Sequence, residues 1–230
     1  MPRTARTVFA GIPHHVTQRG NRKENVFFDN LDRLHYLTWL AEYCLRNQVE
    51  VLAYCLMTNH VHLVMVPATP EGLHLALKPL HMRYAQYMNK KKDWNGHLWQ
   101  GRYFSSPLDD EYTWSAIRYV EQNPVRAGMV DRAENYQWSS AAAHCGLRAD
   151  EVLTSDITWR RKFKLMGEWS VWINSGACPE GDQCLRTYVE KGLPCGSPLF
   201  VNSLEKIAGR SLSFRPQGRE KKKGTLPFKG

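Results

Sequence analysis

A chain of 230 residues can hold one full-sized domain with an appendage, and a hydrophobic fraction of 43% is enough to bury a core, which excludes a globally disordered protein. Lys and Arg outnumber Asp and Glu by 31 to 22, a formal charge of +9 that favours an anionic partner, nucleic acid first and an anionic membrane surface second. The most apolar run, Val61–Val66, is too short to span a bilayer and Met1–Gly20 lacks a signal-peptide core, so a cytoplasmic protein with no membrane partner and six free thiols is expected.

Val8–Arg19 mixes Val, Thr and His in a strand-like stretch that ends at the turn signal Gly20-Asn21. From Asp29 to Asn47, Leu31, Leu34, Leu37, Leu40, Tyr43 and Cys44 recur at helical spacing behind an Asp29 or Asn30 cap. Val49–Met57 and His60–Val66 are apolar runs separated by Thr58-Asn59 and closed by Pro67, the pattern of a β-hairpin. Glu71–Lys92 predicts a second long helix with a basic end, Gly101–Pro107 a short strand, and Asp109–Asn123 a third helix that Pro124 should stop. The first six elements, β-α-β-β-α-β, match an α+β, ferredoxin-like antiparallel sheet, to which the third helix is an addition. Three units are expected: a main domain at 1–148, a small helical extension at 149–215, and a basic flexible tail at 216–230.

Two features could carry chemistry. His60-Val61-His62 lies on a predicted strand, where side chains at i and i+2 share a face, so the two imidazoles could serve one metal. The pair is weak by itself, since nine histidines in this length give about 0.35 such pairs by chance, and two partly exposed strand histidines are the plainer reading. A tyrosine nucleophile on a helix should share its surface with any remaining ligand at i+4. Among ten tyrosines, two have an amide side chain there, Tyr43 with Asn47 and Tyr119 with Asn123. Asn47 sits where a helix should end and is explained as a cap. For Tyr119, a packed ring and a nucleophile are equally compatible with the spacing.

Several motifs in fixed order bear on that choice. Gly11-Ile12-Pro13-His14-His15-Val16-Thr17-Gln18-Arg19-Gly20 precedes Cys55-Leu56-Met57-Thr58-Asn59-His60-Val61-His62. Then follow Gly96-His97-Leu98-Trp99-Gln100-Gly101-Arg102-Tyr103, Tyr119-Val120-Glu121-Gln122-Asn123-Pro124-Val125-Arg126-Ala127-Gly128, and Trp138-Ser139-Ser140. Over residues 1–148 this resembles the REP-associated tyrosine transposases, single-tyrosine relatives of the HUH insertion-sequence enzymes. The resemblance implies a divalent cation, Mg²⁺ or Mn²⁺, held by His60, His62 and Asn123, with Tyr119 as nucleophile. It also implies cleavage and rejoining of single-stranded, REP-like hairpin DNA through a 5′-phosphotyrosine. The alternative is a hairpin-binding protein that keeps the fold without cutting. Monomer and homodimer both stay open.

Arg83, Lys90, Lys91 and Lys92 could meet phosphates from the second helix, or form a solvated face. Trp99 and Arg102 could stack and pair with unpaired bases, with core packing of Trp99 equally compatible. The extension departs from the Gly-Arg-Pro-Leu-Gly stretch of longer relatives, reading Gly192-Leu193-Pro194-Cys195-Gly196.

Overall fold

A computed structural model describes residues 7–165, 168–175 and 179–213. The expected tail at 216–230, like Cys178, lies outside the described residues. The expected element order is realised as β1 His14–Arg19, α1 Asn30–Arg46, β2 Val49–Leu56, β3 His60–Pro67, α2 Gly72–Lys92, β4 Phe104–Pro107 and α3 Asp110–Glu121. The strands form one antiparallel sheet in the order β2-β3-β1-β4, the ferredoxin-like α+β arrangement. Asp29 caps α1 in a capping box with Asp32, and Asp109 caps α3 by accepting from the Tyr112 amide. None of the described helices is long and apolar enough to cross a membrane.

Some boundaries differ from the sequence pattern. The first strand starts at His14 because Gly11, at φ +71°, turns the chain and Pro13 has no N–H for a ladder. Helix α3 stops at Glu121, and a further turn, α4 Asn123–Arg126, restarts behind it. Pro124 cannot donate to the Val120 carbonyl. The Asn123 side-chain amide donates there instead (3.2 Å) and to the Tyr119 carbonyl (3.1 Å). A proline break thus fixes the amide one turn beyond Tyr119.

The register pairs Arg19 with His60 and Thr17 with His62, so these four side chains share one face of the sheet. Val16, Val61, Leu63 and Met65 point the other way, fully buried in the core that also holds Tyr36, Leu40, Leu73 and Leu77 of α1 and α2. Gly20 closes the end of β1 against the β2–β3 hairpin by donating to the Asn59 carbonyl (2.9 Å). A Cβ there would collide with the Glu24 carbonyl and Val26.

The chain after α3 covers both edges of the sheet. Beside β2, Leu56 donates to Trp138, Ser140 to Tyr54 and Thr154 to Val51 through backbone bonds of 2.9–3.0 Å. Beside β4, Cys195 donates to Pro107 (2.8 Å) and Asp109 to Cys195 (3.1 Å). The expected helical extension forms α6 Ile157–Leu165, α7 Trp169–Asn174, α8 Pro179–Lys191 and α9 Pro198–Ala208, after the short α5 Ala141–His144. Trp169, Ile173 and Leu185 are buried in the same core as the sheet.

A buried carboxylate ties these layers together. Glu121, at the end of α3, has no exposure and accepts from the Ser140 hydroxyl, from His144 Nδ1 (2.5 Å) and from Trp169 Nε1 (3.0 Å). Glu121→Ala leaves three donors without their acceptor. It is expected to cost about 3–5 kcal/mol, a fall in Tm of roughly 6–20 °C for a chain of this size. Glu121→Gln, which keeps an acceptor oxygen, should cost less. Thermal melts read both, and an unchanged Tm in Glu121→Ala would remove Glu121 as the anchor.

Candidate active site

The site is built where α3 crosses the histidine face of the sheet. The His60 and His62 rings stand 4.9 Å apart between centroids, and the Tyr119 ring lies 5.5 Å from His62 and 5.6 Å from His15, edge-on to both. Tyr119 and His62 are 3% and 5% exposed, while their edges and Asn123 open onto a cleft of about 770 Å³. The four residues singled out in sequence, His60, His62, Tyr119 and Asn123, are therefore brought together.

Their hydrogen bonds prepare a donor set. His60 Nδ1 lies 2.6 Å from Asn59 Oδ1, an oxygen that can only accept, so the proton sits on Nδ1 and Nε2 keeps its lone pair. His62 Nδ1 meets Nε2 of the buried His15 at 3.0 Å, which orients the ring and leaves Nε2 as its remaining nitrogen. The Nδ1 atom of His15 is buried with no partner among the described residues. Asn123 spends its NH₂ group on the helix carbonyls, leaving its carbonyl oxygen, the metal donor of an amide, outside those bonds. Burial, with Arg19 and Arg186 adding to it, lowers the pKa of His60 to about 4. Burial also takes His62 well below its usual value and lowers His15 to about 3. All three rings are neutral at pH 7, the state in which imidazole ligates a metal. Two neutral imidazoles and an amide oxygen on one wall of a cleft fit a divalent cation.

The cations that line the cleft are Arg19, Lys23, Arg126 and Arg186; Arg19 and Arg126 fall within the ordered motifs, but none of the four was expected from sequence as a DNA contact. Arg126 stacks on the Tyr119 ring at 4.2 Å, donates to the Tyr119 carbonyl and pairs with Asp182 at 3.2 Å. Arg126 lies two helical turns beyond Tyr119, a spacing that sequence could have flagged. Arg186 is distant in sequence and had no such signal. His15 carried a weaker one: with His60 and His62 on a neighbouring strand, it is a third histidine in a stretch already read as β.

The basic and aromatic residues proposed from sequence lie elsewhere. Arg83 pairs with Glu42 (3.1 Å) and stacks on Trp39 (4.4 Å). Lys91 pairs with Asp29 (2.6 Å) and Asp32 (2.5 Å), Lys92 sits over Phe28 (4.2 Å), and Lys90 is exposed. Trp99 is 8% exposed, and its indole donates to the His81 carbonyl (2.9 Å), which places its ring in the core. Arg102 lines an adjoining cleft that shares Arg19, Gln100, Phe104 and Glu190 with that of Tyr119.

Comparison with known proteins gives the family and a likeness of fold. A protein of Haemophilus influenzae assigned as a REP-associated tyrosine transposase is 23% identical over 136 residues, spanning 54% of this chain and 76% of that one. Among solved structures, that of a REP-associated tyrosine transposase bound to a REP hairpin superposes with a TM-score of 0.54 at 15% identity. It covers 68% of this chain and 93% of the other, a likeness of fold. The model of the family described as "Transposase IS200 like" matches residues 8–123, half of the 230 and the whole of β1 through α3. The chain belongs to the IS200-like transposase family.

Proposed function

We propose that this chain is a metal-dependent endonuclease and strand transferase of single-stranded DNA. It acts on palindromic hairpins through a covalent 5′-phosphotyrosine at Tyr119, with His60, His62 and Asn123 holding Mg²⁺ or Mn²⁺. The observation that carries this reading is the meeting of Tyr119 with the histidine pair, its ring 5.5 Å from His62, in a cleft that also opens onto Asn123.

The cation, when bound, supplies Lewis-acid polarisation of the phosphoryl oxygens. The protein's own groups do the rest. Tyr119 attacks the phosphorus, the P–O3′ bond breaks, and the departing 3′-oxygen takes up a proton as the phenol loses one. The phosphodiester energy is held in the Tyr–O–P bond, so the 3′-hydroxyl can reverse the step and rejoin strands without ATP. Asn59 and His15 keep the two imidazoles oriented, and burial keeps them unprotonated. Arg19, Lys23 and Arg126 give the cleft the charge that a DNA backbone neutralises. A hairpin substrate is inferred from the relative captured on a REP hairpin.

A labelled hairpin oligonucleotide incubated with the protein and Mn²⁺ is expected to give a protein–DNA adduct that survives denaturation. Tyr119→Phe should lose the adduct while shifting the hairpin in native gels with affinity within a few-fold of wild type. An undiminished adduct in that variant rejects Tyr119 as the nucleophile, and an intact shift with no adduct from wild type points to a binding protein.

His60→Ala, or chelation of the cation, should slow cleavage by about 10³-fold or more, the equivalent of several kcal/mol of transition-state stabilisation. Hairpin binding should be largely spared, because phosphate and base contacts are made by other groups. Parallel loss of binding and cleavage would count against that division of labour.

A further inference from the structure

We propose that Arg186, on α8, is a catalytic residue of the Tyr119 reaction, its guanidinium engaging both the attacking phenolic oxygen and the phosphate under attack. This rests on the reading of Tyr119 as nucleophile. Arg186 lies well outside residues 8–123, the part of the chain that the family model matches.

The contact is direct. Arg186 Nε donates to the Tyr119 hydroxyl oxygen at 3.0 Å, and its Cζ lies 5.7 Å from the centre of the tyrosine ring. Because the arginine can only donate, it occupies a lone pair of the phenol and leaves the phenolic proton free to depart another way. The bond is charge-assisted by the guanidinium from the start, and it strengthens when that proton leaves, which favours the anionic, nucleophilic form of the oxygen.

The two arginines beside Tyr119 differ in what else holds them. Arg126 is paired with Asp182 and bonded to the Tyr119 carbonyl, which fastens α8 against the end of α3. Arg186 lies four residues after Asp182, one turn further along α8, so that fastening sets it over the hydroxyl. No carboxylate pairs with Arg186 among the described residues. It lines the same cleft as His60, His62 and Asn123. The other donors of its fork suit the non-bridging oxygens of a phosphate presented to Tyr119.

The step balances with Arg186 protonated throughout. The Tyr119 oxygen bonds to phosphorus, the P–O3′ bond breaks, the phenolic proton passes to solvent, and the 3′-oxygen takes one up. In the reverse direction the phenolate is the leaving group, and the same guanidinium receives it.

The test uses the full chain, a labelled single-stranded oligonucleotide with a REP-like imperfect hairpin, and Mn²⁺. Single-turnover adduct formation, hairpin affinity and Tm are measured for wild type, Arg186→Ala, Arg186→Lys and Arg186→Gln. Arg186→Ala is expected to form adduct about 10²–10³-fold more slowly, the usual loss for one donor to a developing anion. Hairpin affinity should stay within a few-fold and Tm within a few degrees. Added guanidinium ion should restore part of the rate to Arg186→Ala and none to Tyr119→Phe, and Arg186→Lys should fall between. If Arg186→Ala loses its fold, the Gln variant, which keeps the bulk without the charge, carries the comparison.

An unchanged or faster rate in the folded variants overturns the proposal, the faster one by showing that Arg186 restrains Tyr119. A rate loss matched by an equal loss of hairpin affinity also overturns it, by assigning Arg186 to DNA binding alone. No adduct from wild type overturns the Tyr119 reading itself and this inference with it, an outcome distinct from both.

Discussion

The antiparallel pairing of β1 with β3 is the constraint from which the rest follows. With Arg19 opposite His60 and Thr17 opposite His62, the histidines face α3, and the alternating residues Val61, Leu63 and Met65 fill the core on the other side. A slip of one residue would put two imidazoles into that core and three large apolar side chains into the cleft. The burial of the apolar set therefore enforces the placement of the polar one. Gly20 and the Asn59 carbonyl pin the same register at the hairpin end, beside the Asn59 side chain that fixes the tautomer of His60.

The second layer depends on the end of α3. Pro124 ends the helix, and the carbonyl it cannot serve is taken by Asn123, so the amide stays one turn from Tyr119 without lengthening the helix. Glu121 then draws the helix end onto the 139–144 segment and onto Trp169. A carboxylate without exposure is costly to bury alone, and its three donors make it a fastener instead. Arg126 and Asp182 repeat the device on the cleft side.

The sheet and its helices were legible in sequence because each depends on a local period. The i and i+2 rule offered the histidine pair and the i and i+4 scan left Tyr43 and Tyr119, but only the resemblance to the REP-associated tyrosine transposases gave the pair weight and chose Tyr119 with Asn123. The placement of cations was not legible, because it depends on what each meets in three dimensions. The basic end of α2 reads as a phosphate track, yet Lys91 is claimed by Asp29 and Asp32 at the start of α1, and Arg83 by Glu42. Arg186 falls in the expected helical extension, where no motif marks it, and helix packing sets it on the tyrosine hydroxyl. Trp99, in a basic aromatic stretch, found a carbonyl for its indole in the core. His15 could not be distinguished from His14 by pattern, and strand register separates them: one turns to His62, the other away.

The partners of Glu121 also set an order of events during synthesis. All the strands are complete by residue 107, but Ser140, His144 and Trp169, which hold the far end of α3, emerge later, the last about 50 residues after Tyr119. At about 5–20 residues per second, a ribosome needs roughly 3–10 seconds to cover that distance. Ser140 and His144 are made in the first half of that interval and Trp169 at its end, so the fastening of the helix that bears Tyr119 is completed only when about three quarters of the chain has been made.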